Sequence, residues 1–281
     1  MAAGGAAADP RMKLFRGSRP LKRWRYVGIF CEQLMACAAA VQIGPARQSF
    51  WALHLRGRGP LRERTHLLWR RGAVALVHGP APGPGVATAV GRVRVHERDV
   101  SLDLLLSEQP GIEARCPHGR NEVWTRKQAG CAAHGTLALD GGPPQSIRAL
   151  AVIDDTAGYH ARRTEWRWSA GVGEGPDGVA LAWNLVAGVN DPPSGSERAV
   201  WVAGEPHEVG LVSFAPDLSR VSCEDGSRLD FLAEAQRSRR ENLLIVRSDY
   251  SAPFGVFSGT LPGGIELARG LGVMEHHRAL W

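Results

Sequence analysis

The chain has 281 residues, enough for two barrel- or sandwich-sized units or for one large β domain. Apolar residues make up 44% of it, which excludes a globally disordered chain. The formal net charge is +6, but the arginines are spread along the chain beside acidic residues and form no single basic patch, so we expect no nucleic-acid partner. The 34 glycines and 18 prolines favour short elements joined by turns.

Residues 1–12 are small and flexible in composition and predict a disordered tail. They contain neither the basic nor the apolar region of a secretory signal, and no apolar run in the chain is long enough to span a bilayer. The five cysteines are odd in number and form no Cys-x-x-Cys pair. These features predict a cytoplasmic protein with reduced cysteines and no stable membrane insertion. Nothing in the sequence indicates an oligomeric state.

The first half of the chain predicts a series of strands. Short apolar stretches separated by glycine, proline and charged turns lie at Tyr26–Phe30, Leu34–Ile43, Ser49–Leu55, Leu67–Val77, Val86–Val95 and Val100–Leu106. Val93 and Val95 share one strand face, while Arg92 and Arg94 share the other. That alternation is typical of a half-buried antiparallel strand.

The pair Pro143–Pro144 is the clearest internal break, and it divides the chain into predicted halves at 13–142 and 143–281. Further strands are predicted beyond it, at Gly178–Gly188, Arg198–Ala203, Leu229–Ala233 and Leu243–Val246 and around Phe214. Two short segments, Glu32–Ala40 and Leu232–Arg240, have high helix propensity and are the places where helices could form. Many strands with few helices predict an all-β barrel or sandwich, and a barrel of this size commonly encloses a ligand cavity.

The segment Ile153–Gly171 holds the densest group of reactive side chains. Asp154 and Asp155 are adjacent, so in a strand they face opposite sides and only one of them can point into a given cavity. His160 follows, and an imidazole can transfer protons near neutral pH if a carboxylate orients it. We therefore predict a catalytic role for His160 together with Asp154 or Asp155.

Aromatic side chains accompany this group. Tyr159 precedes the histidine, and Trp166 and Trp168 lie two apart on one strand face. Together with the acid/base groups they could line a pocket for an apolar substrate. The alternative is that the two aspartates form a turn, the histidine is a hydrogen-bonded structural residue and the indoles belong to the core.

A second cluster lies between His118 and Gly130. Trp124 shares a predicted strand face with Arg126, and a guanidinium facing a cavity could hold a carboxylate or phosphate. Lys127 follows Arg126 directly. The alternative is that this segment is an exposed strand with ordinary surface charge. Two further groups are weaker: one around a predicted turn (Asn184, Asn190, Asp191, Glu197 and Arg198), the other at the chain end (Glu275, His276 and His277). The turn group favours turn chemistry, although Asn184 is kept as a ligand-binding candidate, and the last group favours a solvated end.

Cofactor and metal signatures are weak or missing. Cys116, His118, Cys131 and His134 could supply two sulfurs and two nitrogens to zinc, but a Cys-x-His spacing is unusual in structural zinc sites. We therefore expect no metal. The sequence contains no nucleophile elbow, phosphate loop, dinucleotide fingerprint or His-Glu-x-x-His motif, so we expect no cofactor.

Several blocks carry a family resemblance: RWRYVGIF, HGRNEVWTRKQAG, VIDDTAGYHARRTEWRWSAG, AWNLVAGVNDP, SERAVW, PFGVFSGTLPGG and GVMEHHRALW. From about Leu14 to Trp281 the chain resembles the bacterial and fungal family of domain of unknown function 2804. That family is distantly similar to the lipocalin-like group of hydroxyneurosporene synthases and tocopherol cyclase. The resemblance implies an all-β fold of two lipocalin-like (calycin-type) antiparallel β-barrels in tandem, and a hydrophobic small-molecule ligand of lipid or isoprenoid kind.

Residue chemistry and resemblance together predict a cavity near the junction of the halves. His160 with Asp154 or Asp155 would carry out acid/base hydration, cyclisation or isomerisation without a redox cofactor. The predicted ligand-binding residues are Tyr159, Trp166, Trp168, Trp124, Arg126 and Asn184. The alternative function is that of a non-catalytic lipid carrier or sensor with the same lining.

Overall fold

The structure is a computed structural model that describes residues 12–67, 73–78, 89–109, 111–243 and 246–280. Strands account for 74% of these residues, and the described part contains no helix. The all-β prediction is therefore confirmed. The predicted tail lies outside the described residues except for Met12, and parts of the predicted strands Leu67–Val77 and Val86–Val95 also lie outside them. No helix in the described ranges has the length and apolarity needed to cross a membrane.

The described strands follow one another along the chain. The first strands are β1 (Phe15–Arg16), β2 (Arg19–Pro20), β3 (Lys22–Phe30), β4 (Leu34–Ile43), β5 (Ala46–Leu55), β6 (Arg58–Leu67), β7 (Val74–Val77), β8 (Ala89–His96), β9 (Val100–Glu108), β10 (Ile112–His118), β11 (Asn121–Leu139) and β12 (Gln145–Gly158). The remaining strands are β13 (Arg163–Glu174), β14 (Ala180–Ala187), β15 (Ala199–Val202), β16 (Glu205–Glu208), β17 (Val212–Phe214), β18 (Arg220–Cys223), β19 (Arg228–Leu243), β20 (Val246–Leu261) and β21 (Ile265–Leu280).

Two large antiparallel sheets share one strand order. The first runs β6-β5-β4-β3-β12-β11-β9-β8-β7, with β10 added beside β11, and the second runs β16-β15-β14-β13-β21-β20-β19-β18-β17. In chain order, the first four strands of each sheet form a meander, β3–β6 in one sheet and β13–β16 in the other. The last strand of each sheet, β12 or β21, pairs with the strand that begins the meander, β3 or β13. The chain therefore contains a duplication at the level of topology, although its two halves show no repeat in sequence.

Each sheet curls over itself, because β7 packs against β4 and β17 packs against β14. Among the described pairings β6 and β7 end the first ladder, so the finer prediction of two closed tandem barrels stays a prediction. One apolar core lies inside each curl, and a third lies between the sheets. Strand alternation distributes β3 between two of them: Val27 and Ile29 enter the first core, while Tyr26 and Phe30 enter the layer between the sheets.

Both candidate helices are wrong. Glu32–Ala40 largely belongs to β4, and Leu232–Arg240 lies within β19. In β4, burial on both faces outweighs helix propensity, since Ala38 lies in the first core and Met35 lies between the sheets. Small and slender side chains suit such a doubly packed strand, and pairing on both edges outweighs a weak local preference.

The predicted break at Pro143–Pro144 coincides with the turn between β11 and β12, two paired strands of the first sheet. The chain passes from the first sheet to the second between Gly158 and Arg163, where β12 ends and β13 begins. The division into two domains stays a prediction, but the change of sheet occurs within the segment that the sequence singles out as reactive.

A close approach between β13 and its neighbours gives a first testable prediction. A Cβ atom on Gly171 would lie 2.3 Å from the Trp183 ring and 2.6 Å from the carbonyl oxygen of Leu271. We expect Gly171→Ala to lower the free energy of unfolding by about 1–3 kcal/mol, because overpacking forces the neighbours to move. Urea denaturation of Gly171→Ala, Trp183→Phe and the double variant measures this. A smaller ring relieves part of the clash, so the double variant should lose less than the sum of the single losses, and strict additivity would contradict the steric explanation.

Candidate functional site

A cavity of about 160 Å³ lies between the two sheets. Its aromatic lining consists of the indoles Trp24, Trp166 and Trp168, the phenols Tyr26 and Tyr250, and Phe50. Aliphatic lining comes from Ala39, Val41, Ile43, Val186 and Val189, and polar lining from Gln48, Thr65, Lys127, Asp154, His160, Asn190, Glu197, Arg237, Arg239, Glu241, Ser248, Glu275 and His277. Apolar surface combined with convergent polar groups is typical of a small-molecule site.

One wall is a buried ion cluster. The Lys127 ammonium lies 2.6 Å from Asp154 Oδ1 and 3.4 Å from Glu197 Oε1. Burial works against the charge on Lys127, but the two carboxylates outweigh it and raise the pKa of Lys127. Burial also raises the pKa of Glu197, although Lys127 opposes this. The wall therefore presents an ammonium fixed between two carboxyl groups.

Neutral donors hold the cluster in place. The Trp24 indole N–H donates to Asp154 Oδ2 over 3.0 Å, and the Thr156 hydroxyl donates to Oδ1 over 2.9 Å. On the other side the Asn190 amide donates to Glu197 Oε2 over 3.1 Å, and its oxygen lies 3.2 Å from His118 Nε2. Satisfied networks of this kind are rigid, so the polar groups of this wall are preorganised.

The second reactive group is Glu275, which β21 places opposite Trp168 of β13. The Trp166 indole N–H donates to Glu275 Oε1 over 2.7 Å. Burial raises the pKa of Glu275 to about 7, against hydrogen bonds from Trp166 and Tyr250 that lower it. A carboxyl group with a pKa near neutrality can both give and accept a proton under ordinary conditions.

The two histidines of the cavity are neutral. Burial, reinforced by the charge of Lys22, holds the pKa of His160 well below its usual range. The same two causes lower the pKa of His277 to about 3. His160 stacks on Trp24 with ring centroids 5.1 Å apart, whereas His277 lies 2.8 Å from the Ser248 hydroxyl. Within the described residues no hydrogen bond joins His160 to Asp154, whose partners are Lys127, Trp24 and Thr156.

Four of the predicted site residues line the cavity: Asp154, His160, Trp166 and Trp168. Asn184 lies directly behind them, where it accepts a hydrogen bond from the Trp168 indole and donates one to the Glu197 carbonyl oxygen. Asn184 therefore positions one lining indole and one lining carboxyl residue. The structure therefore brings these five predicted residues together at the cavity.

The other four predicted residues are not among the lining residues. Asp155 turns to the opposite face of β12 and pairs with Arg25 over 2.7 Å, and Arg25 also binds Glu108. Arg126 donates to the carbonyl oxygen of Gln109, and the Trp124 indole donates to Glu113. Tyr159 donates to the carbonyl oxygen of Lys13. Strand alternation explains the separation, since Asp155 is paired with Arg126 while Asp154 is paired with Lys127.

Glu275 and His277 line the cavity and are not part of a solvated chain end. Their signal was present in the sequence, because residues two apart in a strand share a face. Register brings them to Trp168 and Trp166 respectively, and Tyr250 on β20 is paired with His277. Sequence reasoning missed Tyr250, Arg237 and Ser248 altogether, since neither spacing nor composition distinguishes them.

The possible zinc ligands do not converge. Cys131 and His134 are three apart in β11, so they face opposite sides, with Cys131 buried in the first core and His134 exposed. The described residues also contain no group of three or more histidine, cysteine or acidic side chains arranged to hold a metal ion.

Comparisons with known proteins agree with the architecture. The family model described as "Domain of unknown function (DUF2804)" matches residues 8–281. Among curated proteins none matches the sequence.

Three solved structures share the fold at low sequence identity. An AttH protein from Nitrosomonas europaea superposes with a TM-score of 0.53 at 13% identity, over 97% of this chain and 98% of that one. Kievitone hydratase from Nectria haematococca gives 0.57 at 8% identity, over 92% and 88%. CghA, solved with Sch210972, gives 0.52 at 8% identity, over 99% and 94%. These likenesses establish a shared all-β fold over nearly the whole chain.

Proposed function

Since the chain belongs to the family described as Domain of unknown function (DUF2804), we propose its function from the cavity itself. The protein binds a largely apolar small molecule between its two sheets and transfers a proton to or from it. The reaction class is hydration, cyclisation or isomerisation, carried out by acid/base chemistry without a redox cofactor.

The observation that carries this proposal is Glu275. Its carboxyl group lines the cavity, is fixed by the indole of Trp166, and has a pKa of about 7. General acid/base catalysis is most effective when the catalytic pKa lies near the working pH. Glu275 meets that condition better than His160, which was predicted from the sequence, because burial keeps the His160 imidazole neutral.

The ion cluster supplies orientation. The Lys127 ammonium and the Asp154 carboxylate offer a donor and an acceptor side by side, so a carbonyl or hydroxyl group of the ligand can bind them. Glu275 lines the same cavity as these two groups, so its carboxyl group borders the space that a ligand bound at this wall would occupy. A ligand held at the wall therefore has part of its apolar body against Trp166 and Trp168.

The fold comparisons support the same reaction class. One protein of this fold is named as a hydratase, which is one of the proposed reactions, and another was solved with the compound Sch210972, which supports small-molecule binding. We also propose that the two curled sheets are lipocalin-like barrels in tandem, as the family resemblance implies. On that view the ligand binds between the barrels and not inside either one.

The cavity proposal predicts that a bulky side chain at its wall blocks binding. Val41 lines the cavity and is paired with Trp24. We expect Val41→Trp to weaken binding of the apolar fluorophore N-phenyl-1-naphthylamine by about tenfold or more, because an indole fills space that the ligand needs. Fluorescence titration measures the affinity. Val90→Trp is the matched control, since Val90 is 55% exposed on β8, and it should bind the fluorophore as the unsubstituted protein does. Equal binding by both variants would contradict the proposal.

The second candidate function is that of a carrier. Its supporting observation is that Lys127, Asp154 and Glu197 already satisfy one another, so the wall can be read as a purely binding surface. Native mass spectrometry of protein purified from its host separates the two functions. A co-purified ligand that is converted on incubation supports the enzyme, and one that stays unaltered supports the carrier.

A further inference from the structure

A buried arginine on the cavity wall has hydrogen-bonding capacity that the described residues do not use. Arg237 of β19 is 3% exposed, and its guanidinium lies 4.1 Å from the ring centroid of Phe50 and 5.2 Å from that of Tyr250. Its Nε atom is 3.0 Å from Glu63 Oε2, and its Nη2 atom donates to the Thr65 hydroxyl over 2.9 Å. Among the described residues neither Nε, despite its short distance to Glu63, nor Nη1 has a hydrogen-bond acceptor.

Among the described residues three lysine or arginine side chains line the cavity, and they differ in how their charge is balanced. Lys127 lies between two buried carboxyl groups. Arg239 is about one-third exposed and is paired with Glu241 over 2.5 Å, on the cavity wall itself. Arg237 is paired with Glu63 alone, a side chain that is 39% exposed and therefore screened by water. The guanidinium of Arg237 is thus as deeply buried as the Lys127 ammonium, and it is the least balanced positive charge among these three.

A guanidinium in this setting favours an anion that can accept from its free N–H. Carboxylates match the guanidinium fork, and the bond is stronger where water is excluded. Two aromatic faces fix the plane of the group, so the remaining N–H donors point in defined directions. Hydroxyl and carbonyl ligands gain less there, because they carry no charge to offset the buried cation.

We propose that the ligand of the cavity is an amphiphile with a carboxylate or comparably anionic group, bound by Arg237. This rests on the proposed function and adds the substrate class to it. Tyr250 contacts the guanidinium with its ring and hydrogen-bonds Glu275 with its hydroxyl, so the anionic end of the ligand lies next to Glu275. A negative charge placed there favours the protonated form of Glu275, which suits it to act first as an acid.

Matched probes test the proposal: dodecanoic acid and dodecanol, titrated by calorimetry near neutral pH. We expect the unsubstituted protein to bind the acid more tightly than the alcohol. Arg237→Met keeps the apolar stem and should weaken binding of dodecanoic acid about tenfold to a hundredfold, since a hydrogen bond to a charged group is lost. Affinity for dodecanol should change by no more than about twofold, because only the anionic end contacts Arg237.

Glu63→Gln is the control variant, because it breaks the ion pair between β19 and β6 and leaves the guanidinium in place. It should retain or strengthen binding of the acid, whereas a merely structural role of Arg237 would make both variants fail alike. Equal losses for acid and alcohol in Arg237→Met overturn the anchor while leaving the apolar site intact. The anchor is also overturned if Lys127→Met loses binding of dodecanoic acid while Arg237→Met retains it. Binding of neither probe by the unsubstituted protein overturns the proposed function together with the anchor.

Discussion

Lys127→Met is expected to lower the free energy of unfolding by about 3–5 kcal/mol, because it leaves the buried Glu197 and the largely buried Asp154 without their counter-ion. Asp154 and Glu197 have side chains that are 14% and 3% exposed, so water can replace the ammonium only poorly. Urea denaturation near neutral pH measures the loss. Lys13→Met is the matched control, since Lys13 is exposed and its removal should change stability by no more than about 0.5 kcal/mol.

Two experiments distinguish an electrostatic cause of this loss of stability from a loss of packing. In the variant with Asp154→Asn and Glu197→Gln added to Lys127→Met, the orphaned charges are gone, so most of the stability should return. Lowering the pH should also reduce the loss, because Glu197, whose pKa burial raises, is then protonated in the folded protein. If the triple variant is as unstable as Lys127→Met alone, the lysine acts through its packing and the electrostatic account of this wall is wrong.

The part of the candidate site that can be predicted from the sequence is the alternation of side chains along its central segment. Adjacent residues in a strand face opposite sides, and the structure confirms this for Asp154, which meets Lys127 in the cavity, and Asp155, which meets Arg25 in the first sheet. Trp166 and Trp168 follow the same period of two. Local alternation of this kind is written directly into the sequence.

Contacts between side chains on strands that are distant in the sequence cannot be predicted from local sequence patterns. Glu275 reaches the cavity because β21 returns to pair with β13, more than a hundred residues earlier in the chain. Tyr250 and Arg237 arrive on β20 and β19 through the same sheet. The shared topology of the two halves cannot be recognised from the sequence for a related reason. The two sheets have the same strand order, but the residues that face their cores differ. The sequence alone therefore predicts a solvated chain end for Glu275 and His277, and only the strand register places them in the cavity.

Glu275→Gln is expected to stabilise the protein at pH values above about 7, by about 3 kcal/mol, and to leave its stability near pH 4 almost unchanged. The direction follows from the raised pKa of Glu275, about 7 in the folded protein against an ordinary value of 4.5. Between these two values the folded protein holds a proton that the unfolded chain has lost, so the ionisation of Glu275 costs stability as pH rises through that window. Glutamine removes this cost and still accepts the hydrogen bond from Trp166.

Urea denaturation at about pH 4, 6 and 8 measures the effect, because the gain should develop across that range. Glu266→Gln on the same strand is the control, since Glu266 is exposed and should show no comparable pH dependence. The same glutamine variant should slow any proton transfer to a bound ligand by about 100-fold or more, because an amide cannot act as a general acid. A carboxyl group whose removal stabilises the fold is one that folding does not require. Its place in the cavity is then explained by the chemistry it performs there, and a glutamine variant with unaltered stability at high pH would contradict that reasoning.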